Sequence, residues 1–465
     1  MINFSQKIIC IAIWFLLSGN TTVIFAQDES EIRKYLVAFT DKDNSPYSVD
    51  RPSIFLSERA ILRREKHGIV INNSDFPVNR DYLEGLRSFA EEIHSTSKWM
   101  NTALISATSD AEKKITRLPF VKSVTYVGKS GKSRLLLRRA GKSRDEKPPD
   151  EKAESVYGFS EFQLQTLNLF PLHKQDLRGA GLLIAVLDGG FSNGDIMPFF
   201  DKARKENRML PGYDFVEKDD YVYETTAHGA QVLSVMAADL PYVMTGSAPD
   251  AAYVCLKTED NSGEYRSEEA NWVAALEYAD SLGADIINSS LGYTEFSDAA
   301  MNYAYRHLDG KTSFATRAAE IAFQKGMIIV NSAGNEGDTP WKYLDVPADG
   351  ENVLAVGATD QAGYKTGFSS FGPTADGRIK PDVCALGKDI AVASVYSAKV
   401  NASRGTSFSA PLIAGAIACL WQAVPYRSNA EVLDAVRRSG DRADKPNNEL
   451  GYGTPDFAKA LEFLR

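Results

Sequence analysis

Residues 181–190 read GLLIAVLDGG. Leu182 to Leu187 form an unbroken apolar run, closed by an acid and two glycines. A strand with one wet face alternates polar and apolar residues. A run without alternation has to be covered on both faces, as in the interior of a parallel sheet. Working outward, AHGAQVLSVMAA (227–238) predicts a helix of small residues, AAYVCLKTE (251–259) a second buried strand, and SEEANWVAALEYADSLG (267–283) a long helix. ADIINSS (284–290) and MIIVNSAG (327–334) read as strands with the helix RAAEIAFQKG (317–326) between them, and ENVLAVGATD (351–360) adds another strand. This interleaving predicts an α/β domain over 157–465, a doubly wound and mostly parallel sheet with helices on both faces. Ligands of such sheets gather at the carboxyl ends of the strands. Asp188, Ser289, Ser290 and Asn331 fall at ends of that kind.

A second stretch carries two readings. In NASRGTSFSAPLIAG (401–415) a glycine and several hydroxyls precede Pro411, and LIAGAIACLW (412–421) then reads as a helix buried on most sides. Pro411 suits a first helical turn, and Ser407 is either a helix-capping hydroxyl or a nucleophile presented on a constrained backbone.

The chain has 465 residues with 44% apolar and 24% charged residues, a globular composition of ample length for more than one domain. Its formal charge of −9 gives no support to nucleic-acid binding. Lys7 followed by IICIAIWFLL (8–17), a polar stretch and VIFAQ has the order of a secretory signal peptide over 1–26, cut at Ala26|Gln27. The apolar run is too short to span a bilayer, so the protein is expected outside the cytoplasm (secreted, periplasmic or cell-surface) without a transmembrane anchor. Cys255, Cys384 and Cys419 are an odd number, widely spaced and without a CxxC pair; the sequence favours buried free thiols over one disulfide plus one thiol.

Residues 27–127 mix strand-like YLVAFTD (35–41) and FVKSVTYV (120–127) with helix-like SERAILRREKHG (57–68), YLEGLRSFAEEI (82–93) and DAEKKITRL (110–118). They predict a small α+β domain. The join at 128–156, dense in charge and holding a Pro-Pro pair, reads as a solvated linker open to proteolysis. The absence of a long tail after PDFAKALEFLR speaks against an appended binding domain.

Four residues of the second region could do chemistry together. Asp188 suits a DGG turn, but a carboxylate there could also orient an imidazole. His228 opens a helix, where the dipole disfavours its charge, and Gly229 and Ala230 let a neighbour approach it closely. Asn335, in NSAGNEG (331–337), is either a turn residue or an amide donor to a developing oxyanion. With Ser407 they make an orienter, a base, an oxyanion donor and a nucleophile.

In this constellation the second region resembles the subtilisin-like serine peptidases, the subtilases. It carries their three segments in order: IAVLDGGF (184–191), HGAQVLSVMA (228–237) and GTSFSAPLIAG (405–415), with NSAGNEG between the last two. The first region resembles the N-terminal part of secreted subtilases of Bacteroidetes-type bacteria, in FLSERAILRREKHGI (55–69) and LPFVKSVTYV (118–127). The resemblance implies a secreted endopeptidase with the triad Asp188, His228 and Ser407, and an oxyanion hole from Asn335 and the Ser407 N–H. It implies substrate pairing along Ser289, Ser290, Leu291, Gly292 and Tyr293, with Ala333 and Gly334 as the other wall of the specificity pocket. Tyr293 stands where many relatives have a small residue and is expected to narrow or cover that pocket. Gln231, Leu233 and Cys384 are further departures, none of which removes a catalytic group.

The resemblance also implies that 27–127 serves as an intramolecular chaperone and inhibitor, removed by a cut in the join, so that the enzyme is made as a zymogen acting on protein or peptide substrates. No cofactor is required for the chemistry. A structural calcium ion is compatible with the family, but Asp195, Glu217, Asp219 and Asp220 form no spaced loop of EF-hand type. Two rival readings are a catalytically dead binding protein on the same fold, which retention of all four residues opposes, and another acyl-transfer hydrolase such as an esterase.

Overall fold

The computed structural model describes residues 31–129 and 153–465. The signal peptide with its Ala26|Gln27 cut, and most of the 128–156 join with its strand-like SRLLLRR, lie outside the described residues.

The first body is a four-stranded antiparallel sheet in the order β2-β3-β1-β4, formed by β1 (Arg33–Phe39), β2 (Glu92–Ser97), β3 (Thr102–Ala107) and β4 (Val121–Lys129). Helices α1 (Glu58–Lys66), α2 (Arg80–Arg87) and α3 (Ser109–Ile115) complete it, and Val37, Phe39, Leu86, Ala103, Ile105 and Ile115 fill its core. The Ser57 hydroxyl caps α1 by accepting from the Ala60 N–H at 3.1 Å, as its sequence position implies. The helix expected over 82–93 ends instead at Arg87, and Glu92–Ser97 is a strand. Helical periodicity there loses to tertiary pairing, because Ile93 aligns with Ile105 of β3 and completes the sheet.

The second body is built on seven parallel strands in the order β11-β10-β9-β8-β5-β7-β6. These are β5 (Leu183–Asp188), β6 (Met209–Asp214), β7 (Ala252–Lys257), β8 (Ile286–Ser289), β9 (Ile328–Ser332), β10 (Val353–Thr359) and β11 (Val383–Leu386). The unbroken apolar runs follow from burial on both sides. Ile184 and Val186 of β5 face one core layer with Ile286, Ile328 and Val330. Ala185 and Leu187 face the other layer with Val254, Ile287 and Ile329. Helices α4 (His228–Ala237) and α7 (Thr406–Ala423) cover the first layer, and α5 (Ser267–Leu282) and α6 (Phe314–Gln324) cover the second. The doubly wound architecture expected from the sequence is present.

α7 is long and apolar enough to cross a membrane by composition, but 89% of it is buried inside the protein, which makes it a core helix. It begins at Thr406 and not next to Pro411, which lies inside it. Proline has no N–H to give the carbonyl four residues back, so a helix through Pro411 strands the Ser407 carbonyl. The Ser290 hydroxyl fills the vacancy, donating to Ser407 O at 2.8 Å. Cys255, Cys384 and Cys419 are free and buried.

The small body packs on α5 and α6 through an ion network that spans both. Asp280 of α5 pairs with Lys98 at 3.0 Å, Arg64 at 3.0 Å and Arg63, and Lys325 pairs with Asp75 at 2.9 Å. Burial pushes the Asp280 carboxyl up, but Lys98, Arg63 and Arg64 together hold it well below the usual carboxylate range. Glu277 accepts from the backbone N–H groups of Lys98 at 2.6 Å and Trp99 at 3.0 Å. Gly128, near the end of β4, lies against Tyr265 and Ser267, where an added Cβ would sit 2.8 Å from the Tyr265 Cβ. The chain therefore leaves the small sheet beside Tyr265 and Ser267.

Candidate active site

The carboxyl ends of β5, β8 and β9, neighbours in the sheet, open onto one cleft. Its main cavity, about 480 Å³, is lined by Asp188, His228, Glu259, Ser290, Leu291 and Gly292 among others. Asp188 ends β5 almost fully buried, and its Oδ1 accepts the Gly189 N–H at 2.8 Å. Both carboxylate oxygens lie 2.9 Å from His228 Nδ1. Nδ1 therefore carries the proton and donates to Asp188, which leaves Nε2 as an acceptor on the open side.

His228 reaches this position because α4 comes close to β5. A Cβ on Gly229 would lie 2.9 Å from the Asp188 Cβ, so only glycine fits at this crossing. The Thr226 hydroxyl, just before the helix, accepts the His228 N–H at 2.9 Å. The Asp188 charge raises the His228 pKa above the ordinary histidine value near 6.5, against the burial that lowers it. This resolves the dipole conflict expected for a histidine opening a helix.

Ser407 sits in the first turn of α7, after Gly405 with φ +140°, a backbone setting that favours glycine. The serine does not cap the helix: its Oγ is turned to the Ser290 carbonyl at 3.5 Å. It makes no hydrogen bond to His228, although the ring of its neighbour Phe408 lies 5.6 Å from the imidazole. The Ser407 N–H belongs to the first helical turn, where intrahelical acceptors are lacking and the helix dipole is positive.

Asn335 follows β9 in an exposed turn. Its Oδ1 accepts from the Thr406 N–H at 2.9 Å and the Thr406 hydroxyl at 3.1 Å. These donors fix the amide, so its Nδ2 is the end left to donate elsewhere. Thr406 thus ties the Asn335 turn to the start of α7, and its hydroxyl also reaches Gly334 O at 3.1 Å. Nothing in the sequence distinguishes Thr406 from the other hydroxyls of the segment.

The expected substrate wall divides into different roles. Ser289 is buried and accepts the Trp272 indole N–H at 3.0 Å, while Ser290 braces Ser407 O. The Leu291 carbonyl accepts from Asn331 Nδ2 at 3.0 Å, and Leu291 and Gly292 line the cleft. Tyr293 does not cover the pocket. Along an extended segment successive side chains alternate, so Gly292 and Thr294 face the cavity and Tyr293 turns inward. Its ring is buried and its hydroxyl donates to Glu259 Oε1 at 2.8 Å. Ala333 and Gly334 are buried in the opposite wall, whose exposed edge is Asn335.

Among the described residues, the acids placed so that three could reach one ion are Glu259, Glu264 and Glu268, with oxygens within 4.8 Å of one another. Asp195, Glu217, Asp219 and Asp220 form no such group; Asp219 Oδ1 instead accepts the Tyr221 N–H at 2.9 Å.

Comparison with known proteins gives a consistent picture. Residues 179–453 match the family model described as the subtilase family. Residues 34–145 match the model described as the peptidase S8 propeptide domain of Bacteroidota. The thermophilic serine proteinase of Bacillus sp. (strain AK1) is 28% identical over 288 residues, 61% of this chain and 62% of that protein. Thermitase of Thermoactinomyces vulgaris is 29% identical over 291 residues, 61% of this chain and 90% of that protein. Among solved structures, MycP1 from Mycobacterium smegmatis shares the fold with a TM-score of 0.52 at 21% identity, covering 68% of this chain and 90% of that one.

Proposed function

The chain belongs to the subtilase family of serine peptidases and carries a propeptide domain of the same class, and on that premise we propose that it is an exported endopeptidase, made as a zymogen, that cleaves peptide bonds through an acyl-enzyme on Ser407. The observation that carries the reading is the bidentate Asp188–His228 pair, in a cleft whose wall residue Ser290 is bonded to Ser407. Rotation about χ1 of Ser407 turns Oγ from the Ser290 carbonyl toward His228 Nε2; such contacts often tighten only when substrate arrives. Nε2 takes the hydroxyl proton as Oγ attacks the scissile carbonyl, and Asp188 stabilises the imidazolium that results. The oxyanion receives the Asn335 Nδ2–H and the Ser407 N–H. His228 then returns the proton to the leaving amine, and water releases the acyl group by the same steps.

The small domain, seated on α5 and α6 with its last strand ending beside Tyr265, serves in this reading as chaperone and inhibitor until the join is cut. No metal takes part in the chemistry, and a structural calcium ion enters the proposal only as a stabiliser of the folded domain.

The test is casein hydrolysis by the matured protein beside Asn335→Ala. The wild type releases new amino termini, and Asn335→Ala lowers kcat by about 10²–10³, the size found on removing such a donor in this family. Absence of hydrolysis by the wild type would defeat the proposal. An Asn335→Ala variant with full activity would remove Asn335 from the oxyanion hole.

The pH profile gives a second check. His228 must be neutral to accept the proton, and Asp188 raises its pKa, so kcat/KM falls as pH drops through a limb above the ordinary histidine value near 6.5. In Asp188→Asn that limb moves to lower pH. An acid limb that stays in place in Asp188→Asn would separate the pair electrostatically.

A further inference from the structure

Several buried acids outside the cleft are matched with cations: Asp280 with Arg63, Arg64 and Lys98, Asp214 with Lys257, and Asp382 with Lys380 and Arg437, while Glu269, Glu277 and Asp349 are held by hydroxyl and backbone N–H donors. The cleft differs. Glu259, Glu264, Glu268, Glu336 and Asp345 form no ion pair with any lysine or arginine among the described residues, although burial makes an unmatched carboxylate costly. Two of them converge at one place. Asp345 is buried between the two walls of the pocket. A Cβ on Gly292 would lie 2.5 Å from the Asp345 Cβ, and one on Gly334 would lie 2.5 Å from Asp345 Oδ2 and 2.6 Å from Glu336 Oε2. The Thr294 hydroxyl donates to Asp345 Oδ1, while Oδ2 receives no N–H or hydroxyl donor from the described residues and faces Glu336. The cavity above them, about 440 Å³, is lined by Gly292, Thr294, Glu336, Trp341 and Asp345.

We propose that this cavity takes the side chain of the residue immediately before the scissile bond, and that Asp345, aided by Glu336, selects lysine or arginine there. The inference rests on the catalytic reading above. The pocket opens beside the oxyanion position, because Gly334 adjoins Asn335 and its carbonyl is held by Thr406. A long cationic side chain lays its apolar stem along Trp341 and brings its ammonium or guanidinium to the two carboxylates. Burial and the facing Glu336 raise Asp345 well above the usual carboxylate range, so an entering cation displaces the proton that this carboxyl holds. An apolar side chain would leave Asp345 buried with no cation opposite its Oδ2. The join that maturation must cut supplies this chemistry: residues 130–144 hold six lysines and arginines and no acid.

The test uses matured enzyme and fluorogenic peptides that differ only in the residue before the cut: arginine, lysine, leucine or phenylalanine. Wild type should prefer arginine and lysine by on the order of 100-fold in kcat/KM. In Asp345→Asn the arginine-to-leucine ratio should collapse by a similar factor. Glu336→Gln, which keeps Asp345, is the second variant if Asp345→Asn fails to mature, and its ratio should also fall. A wild-type preference for leucine or phenylalanine, or an arginine-to-leucine ratio unchanged in both variants, overturns the pocket assignment alone. Failure of the wild type on every peptide overturns the catalytic reading beneath it.

Discussion

Replacing Ser407 by alanine lowers kcat on casein or a peptide by about 10⁶, the loss found for the corresponding change in this family, to a rate near the detection limit. The fold should survive the substitution. Ser407 Oγ has only a long 3.5 Å contact to Ser290 O, and the main-chain links that hold this turn do not involve the hydroxyl. A variant that melts with the wild type but does not hydrolyse separates the loss of the nucleophile from the loss of structure. Ser407→Ala with more than about a hundredth of wild-type kcat would move the nucleophile elsewhere, since removal of a nucleophile leaves only binding and oxyanion contributions.

Asp188→Asn comes next in size, with kcat falling by about 10⁴. Asp188 accepts at both oxygens from one imidazole nitrogen, 2.9 Å from each. An amide keeps the shape but offers an N–H on one side, and the imidazole can satisfy it by moving its proton to Nε2. The nitrogen facing Ser407 would then be a donor and could not take the hydroxyl proton. The Gly189 N–H now bonded to Oδ1 also favours an acceptor at that position, so the asparagine should orient with its N–H₂ toward the histidine. A loss of less than tenfold at neutral pH would reduce Asp188 to the turn residue that its DGG context also allows.

The sheet was legible because its residues carry the signal locally. β5, β7, β8 and β9 are covered on both faces, and each shows this as an apolar run ending in a polar residue. Their ends also brought Asp188, Ser289, Ser290 and Asn331 to one edge of the sheet before any geometry was known. Where an element depends on a distant partner, the local pattern misled. The helical periodicity of 82–93 runs past Arg87, yet β3 draws Glu92 and Ile93 into the sheet. Pro411 suggested a helix start, but the Ser290 hydroxyl, 117 positions from Ser407, completes the turn before it. The same limit hid Thr406 and Asp345. Thr406 lies 71 positions from the Asn335 amide it orients, and Asp345 lies 51 positions from the Thr294 hydroxyl that holds it. Neither has a spacing that a reading along the chain could use. Tyr293 was placed in the right segment with the wrong facing, because the direction of an extended residue follows from pairing that the segment alone does not contain.

The charge distribution joins these parts into one account. The small domain supplies the cations that neutralise Asp280, and its last strand ends beside a cleft whose Glu259, Glu264, Glu268, Glu336 and Asp345 make no ion pair with a lysine or arginine of the described residues. The join that follows in sequence is strongly basic. On the proposed reading, such a precursor would act first on its own join.

The most direct measurement is therefore the intact mass, followed over time, of the purified precursor beginning at Gln27 and of its Ser407→Ala counterpart. The account predicts that only the wild type sheds the chain up to a bond within 128–156 and gains activity on casein as it does so. Equal processing of the two proteins, or a wild type that stays at full length on its own and remains inactive once trypsin has opened the join, would contradict it.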